Sequence, residues 1–487
     1  MNADRTAVLT VDGHSYRYQP LDRVLPRAER DTLTYAVRIL LENVARRAPA
    51  ALAEVADRAR TGGGTCEVPV HPNRIMLHDT TCLPALADFA AMRDSVAELG
   101  GHPERLQPAI PVDLTVDHSV IVEEYGHPDA VERNLLIDFR RNQERYEFVK
   151  WAERSVRNFR VVPPGTGIIH QVNMEALARV VWRQDADDDG PPWLYPDVLV
   201  ATDSHTPMIN ALGVVGWGVG GLEGQAAMLG EPVTIPYPTV VGVRLTGGLR
   251  PGVGATDLAL TLTERLRARG VVDAFVEFCG TGVTTLGWAE RAAVANMAPE
   301  YGATCVFFPY DDETAAYLRL SGRDEAHVRL VDAYLTAQGL KRTEDRPEPR
   351  YDDVLDLGTV EPSMAGPNLP HQRLSLSRVP ASYRTATADT GRETAAADPA
   401  FGEPLPEGPV AIASITSCTN TANPALMVQA GLLAERAVEA GLSAKPWVKT
   451  SLSPSPPVHG SSRSICGRPG CCPRWRRPAS TSSVSAA

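Results

Sequence analysis

The hydrophobic pattern near the start of the chain predicts two short strands and then a helix that faces a core. Residues 7–9 and 15–18 have the pattern of short strands. Asp31 or Thr32 can cap the helix that follows. The apolar positions of this helix recur at helical spacing, at Leu33, Ala36, Val37, Leu40, Leu41 and Val44. We therefore expect one face of it to be buried.

Later segments predict further strands and helices. The apolar run 198–201 is predicted to be a short strand, and the polar residues 202–205 follow it directly. Residues 241–246 alternate between apolar and polar, which is typical of a half-buried strand. A helix is predicted from about Asp257 to Arg269, with Gly270 at its end.

The clearest strand-loop-helix unit lies between residues 410 and 441. A strand is predicted over 410–415, and a loop that contains Cys418 leaves it. Asn423 and Pro424 are suited to the first positions of a helix that runs to Gly441. Repeated units of this kind predict an α/β fold with parallel sheets. Candidate domain boundaries are 230–232, 341–353 and 380–409.

Composition and charge narrow the class of protein. The 487 residues are 43% hydrophobic and 22% charged, which excludes a disordered or coiled-coil chain and leaves room for about two to four domains. The net charge of −11 disfavours nucleic acid as the main partner and favours a small-molecule enzyme. The chain has no apolar run of membrane-spanning length, no secretory leader and only scattered cysteines, so we expect a cytoplasmic protein without a membrane partner.

The last 34 residues differ from the rest. The segment 454–487 has five arginines and no Asp, Glu or Lys, so the remainder of the chain carries −16. This tail also holds three of the eight cysteines, Cys466, Cys471 and Cys472, at a spacing that does not match a zinc site.

Two motifs in the chain match known patterns only in part. Gly216, Gly218 and Gly221 belong to a glycine-rich stretch that matches the dinucleotide fingerprint, but no acidic residue stands about 20 positions further on. Close backbone packing beside a site is the favoured interpretation. The acidic run 185–190 begins like a calcium loop, but its twelfth position is Pro196, so a solvated turn is expected.

Histidines next to carboxylate or hydroxyl residues are the strongest chemical signal. They occur in Asp117-His118-Ser119, in the segment 170–173 that begins with His170, and in Asp203-Ser204-His205. A carboxylate orients an imidazole and tunes its pKa, so these pairs predict proton transfer. The nucleophile motif of serine hydrolases and the zinc motif of metalloproteases are absent from the sequence. Cys418, near a helix N-terminus, is open to three interpretations: a nucleophile, a metal ligand or a buried inert thiol.

Several long segments resemble the aconitase family, in the long form shared with iron-regulatory proteins. The resemblance runs from about residue 33 to 452, and its strongest segments are VDHSV, NQERYEFVKWA, VVPPGTGIIHQVNMEALARVVW, ATDSHTPMINALGVVGWGVGGLEGQAAMLGEP, NMAPEYGAT, VEPSMAGP and TSCTNTANPALMVQAGLLAERAVEAGL. It implies three α/β domains with parallel sheets, which we place at 1–232, 233–345 and a partial third at 346–453, followed by the unrelated tail 454–487. We expect the swivelling fourth domain of the family to be absent.

The resemblance also implies a hydro-lyase that converts citrate to isocitrate through cis-aconitate with a [4Fe–4S] cluster held by three cysteines. Its site residues are expected to be the acid pair Asp117–His118, the pairs His170–Asp203 and His205–Glu277, the substrate contacts Ser119 and Ser204, and the first cluster ligand Cys418. The partner implied is a small tricarboxylic acid, and a monomer is expected.

One position departs from the family pattern within the matched region. His78 stands where relatives have a substrate-contacting glutamine, in LHDTTCLPA against LQDFTGVPA. An imidazole bonds a carboxylate differently from an amide. The substrate is therefore open to a second interpretation, a citrate analogue of the methylcitrate or phosphinomethylmalate type.

A second departure begins after Leu452. The family continues there with a Gly-Cys-x-x-Cys motif that supplies two more ligands, and later with the fourth domain, which holds the serine base. The composition of the tail is typical of GC-rich DNA translated out of frame, so we expect a frameshift. We then expect this chain alone to hold no stable cluster and to be inactive. The alternative is a non-catalytic remnant with a binding role, for example to RNA, which the acidic charge disfavours.

Overall fold

The structure is a computed structural model. It describes residues 6–61, 65–80, 83–186, 190–344, 348–388, 405–406, 408–416 and 423–452, and the backbone of 482–484. Cys418 and most of the basic tail lie outside the described residues, as does part of the acidic run 185–190.

A five-stranded parallel sheet organises the first part of the chain. In spatial order its strands are Val215–Gly218, Val198–Ala201, Arg74–His78, Val112–Thr115 and Phe159–Val162. The predicted strand 198–201 is confirmed, and all four of its side chains are buried. Because the strands are parallel, the loops that leave their carboxyl ends meet at one edge of the sheet.

Several helices accompany the strands in this part of the chain, and Gln143–Ser155 and Gly221–Met228 contact the five-stranded sheet directly. The helices of this part are Arg27–Arg30, Tyr35–Arg47, Leu52–Thr61, Leu83–Glu98, Ala130–Arg141, Gln143–Ser155, Ile169–Val172 and Gly221–Met228, and a π-helical turn spans Asn173–Leu177.

The predicted core helix is present but begins later than expected. It spans Tyr35–Arg47, and eleven of its thirteen residues are buried. Asp31 does not begin it, since its N–H instead donates to the carbonyl of Arg27 and ends the short helix before it.

A second sheet confirms the strands predicted at the start of the chain. Ala7–Val11 pairs antiparallel with His14–Tyr18, and Trp193–Pro196 and Val181–Gln184 complete the four strands. A separate two-stranded ladder joins Glu67–Val70 to Val233–Pro236.

A four-stranded parallel sheet organises the next part of the chain. Its spatial order is Cys305–Phe307, Phe275–Cys279, Val240–Thr246 and Asp353–Asp356. The last of these strands lies beyond residue 345, so the sheet crosses the boundary that we predicted there. The helices of this part are Ala255–Arg269, Trp288–Asn296, Ala298–Tyr301, Asp312–Leu320 and Glu325–Gln338. Gly270, at φ 79°, ends the first of them as predicted.

The remaining described residues form smaller units. A two-stranded ladder joins Ser363–Ala365 to Arg373–Ser375, and the helix Val379–Ala386 follows it. The strand Ile412–Ile415 pairs in parallel with Lys449–Leu452, and the latter pairs with Ser482–Val484. The helix Pro424–Glu439 connects the first two, and Asn423 caps it with its side-chain oxygen, as predicted. The described parts are thus α/β with three parallel sheets.

The two large parallel sheets share one apolar core. Buried residues from Tyr16 to Val360 form a single cluster. The fully buried Asn210 bridges the two halves, because its carbonyl accepts the N–H of Phe308 and its side-chain oxygen accepts the N–H of Val306. None of the helices in the described part of the chain has the length and apolarity needed to cross a membrane.

Candidate active site

Three adjacent strands of the five-stranded sheet deliver polar side chains to one edge. His78 is the last residue of the central strand Arg74–His78, Asp117 and His118 follow Val112–Thr115, and Asp203 follows Val198–Ala201. The sequence pattern had singled out each of these positions, and the structure brings them together.

Asp203 lies at the centre of the cluster, because four imidazoles approach its carboxylate. His170 Nε2 lies 2.8 Å from Oδ1, and His205 Nδ1 lies 3.7 Å from the same oxygen. The Nε2 atoms of His78 and His118 lie 3.7 and 3.9 Å from Oδ2. Burial by itself would raise the pKa of Asp203, but hydrogen bonds from His170 and His205 outweigh it and hold that pKa well below its usual range. Asp203 is therefore an anion that several cations or hydrogen-bond donors can share.

The backbone holds Asp203 in place. Its Oδ1 accepts the N–H of His205 at 2.7 Å, and its carbonyl accepts the hydroxyl of Thr206 at 2.5 Å. Gly218 packs against the same loop so closely that an added Cβ would lie 2.6 Å from the carbonyl oxygen of Asp203. The glycine-rich stretch thus provides close backbone packing beside the site, as the sequence predicted.

Asp117 and His118 form the second half of the cluster. His118 Nδ1 lies 2.6 Å from Asp117 Oδ1, while Oδ2 accepts the N–H of Ile169 at 2.6 Å. This carboxylate therefore links His118 to the helix that carries His170. The hydrogen bond with Asp117 raises the pKa of His118, whose side chain is 39% exposed and open to a ligand.

The sequence analysis missed Asp79, which orients this pair. Its Oδ1 accepts the backbone N–H groups of Asp117 and His118 at 3.3 and 3.1 Å, and Arg145 approaches its other oxygen at 3.5 Å. Asp79 follows a buried strand directly, so the rule that drew attention to Asp203 would have found it.

His78 is buried beside His118. Their ring centroids lie 4.5 Å apart at an angle of 31° between planes, and Thr80 Oγ1 lies 2.9 Å from His78 Nδ1. Burial, and then the neighbouring positive charge of His118, lower the pKa of His78. Its Nε2 is left facing Asp203.

The predicted pairing of His205 with Glu277 is wrong. His205 Nε2 instead lies 3.4 Å from Glu300 Oε1. Its hydrogen bonds with Asp203 and Glu300 raise the pKa of His205 to about 9. Ser204 Oγ lies 3.2 Å from His205 Nδ1, and Ser119, the other predicted substrate contact, is buried. Glu300 lies within the segment NMAPEYGAT, which the family resemblance had marked without assigning it a role.

Glu277 has a structural position instead. Its two carboxylate oxygens accept the N–H groups of Tyr35 and Ala36, both at 2.9 Å, at the start of the core helix. Burial raises the pKa of Glu277 to about 7, against the opposing effect of these two hydrogen bonds. Its carboxylate is therefore occupied by a helix N-terminus, where negative charge is favourable.

The cysteines that the structure describes do not fit an iron–sulfur cluster, which needs thiolate ligands. Cys66, Cys279 and Cys305 are all buried thiols. Burial raises the pKa of each, to about 12 for Cys279 and well above the usual value for Cys305. Cys418, the cluster ligand that the family resemblance implies, lies outside the described residues.

Sequence comparison decides the family. The model of the aconitase family (aconitate hydratase) matches residues 52–461. The chain belongs to the aconitase family. Its α/β fold with parallel sheets is thus an aconitase-type fold.

Curated members of the family align with most of this chain. Aconitate hydratase A of Legionella pneumophila is 46% identical over 447 residues, which cover 88% of this chain and 50% of that protein. Its counterpart in Pseudomonas aeruginosa is 47% identical, with 88% and 51% covered. Phosphinomethylmalate isomerase of Streptomyces viridochromogenes is 48% identical, with 89% and 49% covered. The chain spans about half the length of the curated relatives it matches.

Proposed function

We propose that this chain contributes the proton-transfer residues of an aconitase-type hydro-lyase, which removes water from a small tricarboxylic acid and adds it back at the neighbouring carbon. The observation that carries the proposal is the convergence of four imidazoles on the Asp203 carboxylate. Such a cluster can hold protons at several defined atoms beside a bound anion.

His118 is proposed as the acid that protonates the departing hydroxyl group. Its Nδ1 is held by Asp117, and the ring is 39% exposed with Nε2 3.9 Å from Asp203, so a ligand beside Asp203 would meet Nε2. The raised pKa keeps His118 protonated at a higher pH than an ordinary histidine. When the ring gives up its proton, Asp117 keeps it in the same orientation for the return step.

His205 is proposed to bind a substrate carboxylate. With a pKa of about 9 it is a cation at neutral pH, and its side chain is 32% exposed at the edge where the ligand would lie. Glu300 lies 3.4 Å from Nε2 of the ring, and Asp203 accepts the backbone N–H of His205 and lies 3.7 Å from Nδ1. The charge is therefore held in position before the substrate binds.

For the substrate we propose citrate and isocitrate, by way of cis-aconitate, because two of the three relatives compared are aconitate hydratases. A citrate analogue of the methylcitrate or phosphinomethylmalate type is the second candidate. Two observations favour it: the buried His78 faces Asp203 inside the cluster, and the Streptomyces relative is named a phosphinomethylmalate isomerase.

Steady-state kinetics on the full-length product of the gene would test the substrate. The measurement compares kcat/KM for citrate and for phosphinomethylmalate in the wild type and in His78→Gln. If His78 selects the analogue, the substitution should shift the ratio towards citrate by about tenfold, since one altered hydrogen bond to a charged group is worth about 1.5 kcal/mol.

Glu132→Gln, on an exposed helix surface, is a control for general effects of substitution. If the ratio of the two kcat/KM values is unchanged in His78→Gln, His78 does not select the substrate. Failure of the wild type to turn over either compound would reject the proposed function itself.

A further inference from the structure

A large cavity lies at the edge of the five-stranded sheet opposite the candidate active site. Its volume is about 790 Å³. Its lining includes Arg74, the first residue of the strand that ends at His78, and also Pro111 and Asn158, which precede the two neighbouring strands. A strand of five residues rises about 13 Å, so this cavity is separate from the Asp203 cluster.

The lining of the cavity is rich in arginine, although the chain as a whole is acidic. Three carboxylates line it, Asp113, Glu175 and Asp324. The cations outnumber them, and they are Arg74, Arg160, Arg179, Arg183 and Arg323. Since the whole chain carries −11, the excess of arginine here is local.

Two of these arginines hold the walls. Arg323 donates to the carbonyls of Met174 and Ala178 at 2.7 and 3.0 Å, around the π-helical turn Asn173–Leu177. Arg160 is paired with Asp113 at 2.7 Å. Both guanidinium groups therefore already have partners within the protein.

Arg74 is different, because part of its buried guanidinium has no partner. The side chain is 1% exposed, and its Nε and Nη2 bind Asp197 at 3.2 and 3.0 Å. Its Nη1 is buried and makes no hydrogen bond to any residue that the structure describes. A buried donor left without an acceptor costs about 1 to 3 kcal/mol, so an acceptor would stabilise it if the Arg74 side chain turned towards the cavity that it lines.

Two further arginines remain available at the rim. Within the described part of the chain Arg179 makes no ion pair, and its guanidinium lies over the ring of Trp182, 4.6 Å from the ring centre. Among the residues that the structure describes, Arg183 forms an ion pair with Asp185 alone, at 3.6 Å, and both side chains are mostly exposed. Between these arginines the buried Val180 has a φ of 62°, a costly conformation for a β-branched residue that fixes the direction of the chain at Arg179.

We infer that this cavity binds the phosphate groups of a small molecule. Guanidinium groups recognise phosphate oxygens through paired hydrogen bonds, and Arg74 Nη1, Arg179 and Arg183 offer such donors on one lining. The volume suits a ligand of nucleotide size. One wall, the turn Asn173–Leu177, directly follows the helix that carries His170, so the two sites share an element.

Isothermal titration calorimetry on the purified 487-residue chain would test this inference. The probes are inorganic phosphate, pyrophosphate and ADP, with acetate as an anion that has no phosphate and is not a proposed substrate. We expect saturable binding of pyrophosphate or ADP that weakens as salt is added. Arg179→Gln and Arg183→Gln should each weaken it about tenfold or more, since a hydrogen bond to a charged group is worth about 1.5 to 3 kcal/mol.

Arg140→Gln is the matched control, because Arg140 is an exposed arginine on the helix Ala130–Arg141, outside the cavity lining. Arg140→Gln should bind pyrophosphate and ADP with the affinity of the wild type. Tighter binding of ADP than of pyrophosphate would support an organic phosphate as the ligand, and equal binding would support the phosphate group alone. The inference is overturned if no phosphate compound binds in the millimolar range, if Arg179→Gln binds as the wild type does, or if acetate binds as tightly as pyrophosphate.

Discussion

The two neighbouring imidazoles of His78 and His118 have different protonation behaviour. His118 is bonded to Asp117 at 2.6 Å, which raises its pKa, whereas burial and the neighbouring His118 lower the pKa of His78. A protonated ring and a neutral ring can therefore stand 4.5 Å apart at the same pH. Groups whose environments move their pKa values apart are typical of acid–base sites.

Replacing Asp117 tests the origin of this difference. In Asp117→Asn the carboxylate charge is lost, so the pKa of His118 should fall. NMR titration of the imidazole carbon-bound protons in the purified chain measures it. Asp94→Asn, on an exposed helix surface, is the control and should leave the curve unchanged. A His118 titration curve that is the same in Asp117→Asn and the wild type would show that Asp117 does not set its protonation.

The loops that leave the ends of parallel strands set the positions of the side chains in the candidate site. The loop of Asp203 leaves one strand of the five-stranded sheet, and Gly218 ends the strand beside it. A side chain at Gly218 would meet the Asp203 carbonyl at 2.6 Å and the Ser204 Cα at 3.0 Å. The absence of a side chain there allows the two segments to pack.

Gly218→Ala should therefore destabilise the protein and displace Asp203. Overpacking of this kind costs about 1 to 3 kcal/mol. Urea unfolding of the purified chain measures the free energy of unfolding. Gly221→Ala is the matched control, because its Cβ would meet no atom within 4 Å. Equal stability of the two variants would contradict the close packing described here.

Glu277 makes the stability of the core helix depend on pH. Its pKa of about 7 in the folded protein lies above the usual 4.5, so the folded state binds one more proton between these values. The contribution of Glu277 to the free energy of unfolding is therefore complete below about pH 4.5 and is lost as the pH rises through 7. A shift of this size corresponds to about 3 kcal/mol.

In Glu277→Gln this contribution to the pH dependence should disappear. The measurement is the free energy of unfolding in urea at about pH 5 and about pH 7.5. The decrease in stability between the two should be smaller in Glu277→Gln than in the wild type, whereas the surface control Glu132→Gln should behave as the wild type does. A decrease of the same size in Glu277→Gln would mean that Glu277 is ionised throughout.

Local patterns predicted the elements and most of the site, and they failed where distant segments meet. The strand 198–201, the helix that ends at Gly270 and the polar residues after strands all follow from short-range periodicity and capping. The partners of His205 do not, because Glu277 and Glu300 lie 72 and 95 residues away, and only packing decides which one is near. The helix cap by Glu277 joins residues 242 apart and has no local signal.

At the scale of the whole molecule, the candidate site draws on both large parallel sheets. His78, His118 and Asp203 come from the first sheet, and Glu300 precedes a strand of the second. The shared core and the buried Asn210 keep these sheets together. The site residues found here are thus assembled within a chain that spans about half the length of its relatives.

We propose that Asp203 organises the proton-transfer residues of an aconitase-type site, and the activity of an Asp203→Asn variant of the full-length gene product is the decisive test of this role. The measurement is kcat and KM for citrate and for phosphinomethylmalate, with melting temperatures to confirm folding and Asp94→Asn as the control. We predict that kcat for the substrate used by the wild type falls by about 10² or more, because His170 and His205 lose their shared anion, with the fold retained. A folded Asp203→Asn enzyme with the kcat of the wild type would contradict the claim.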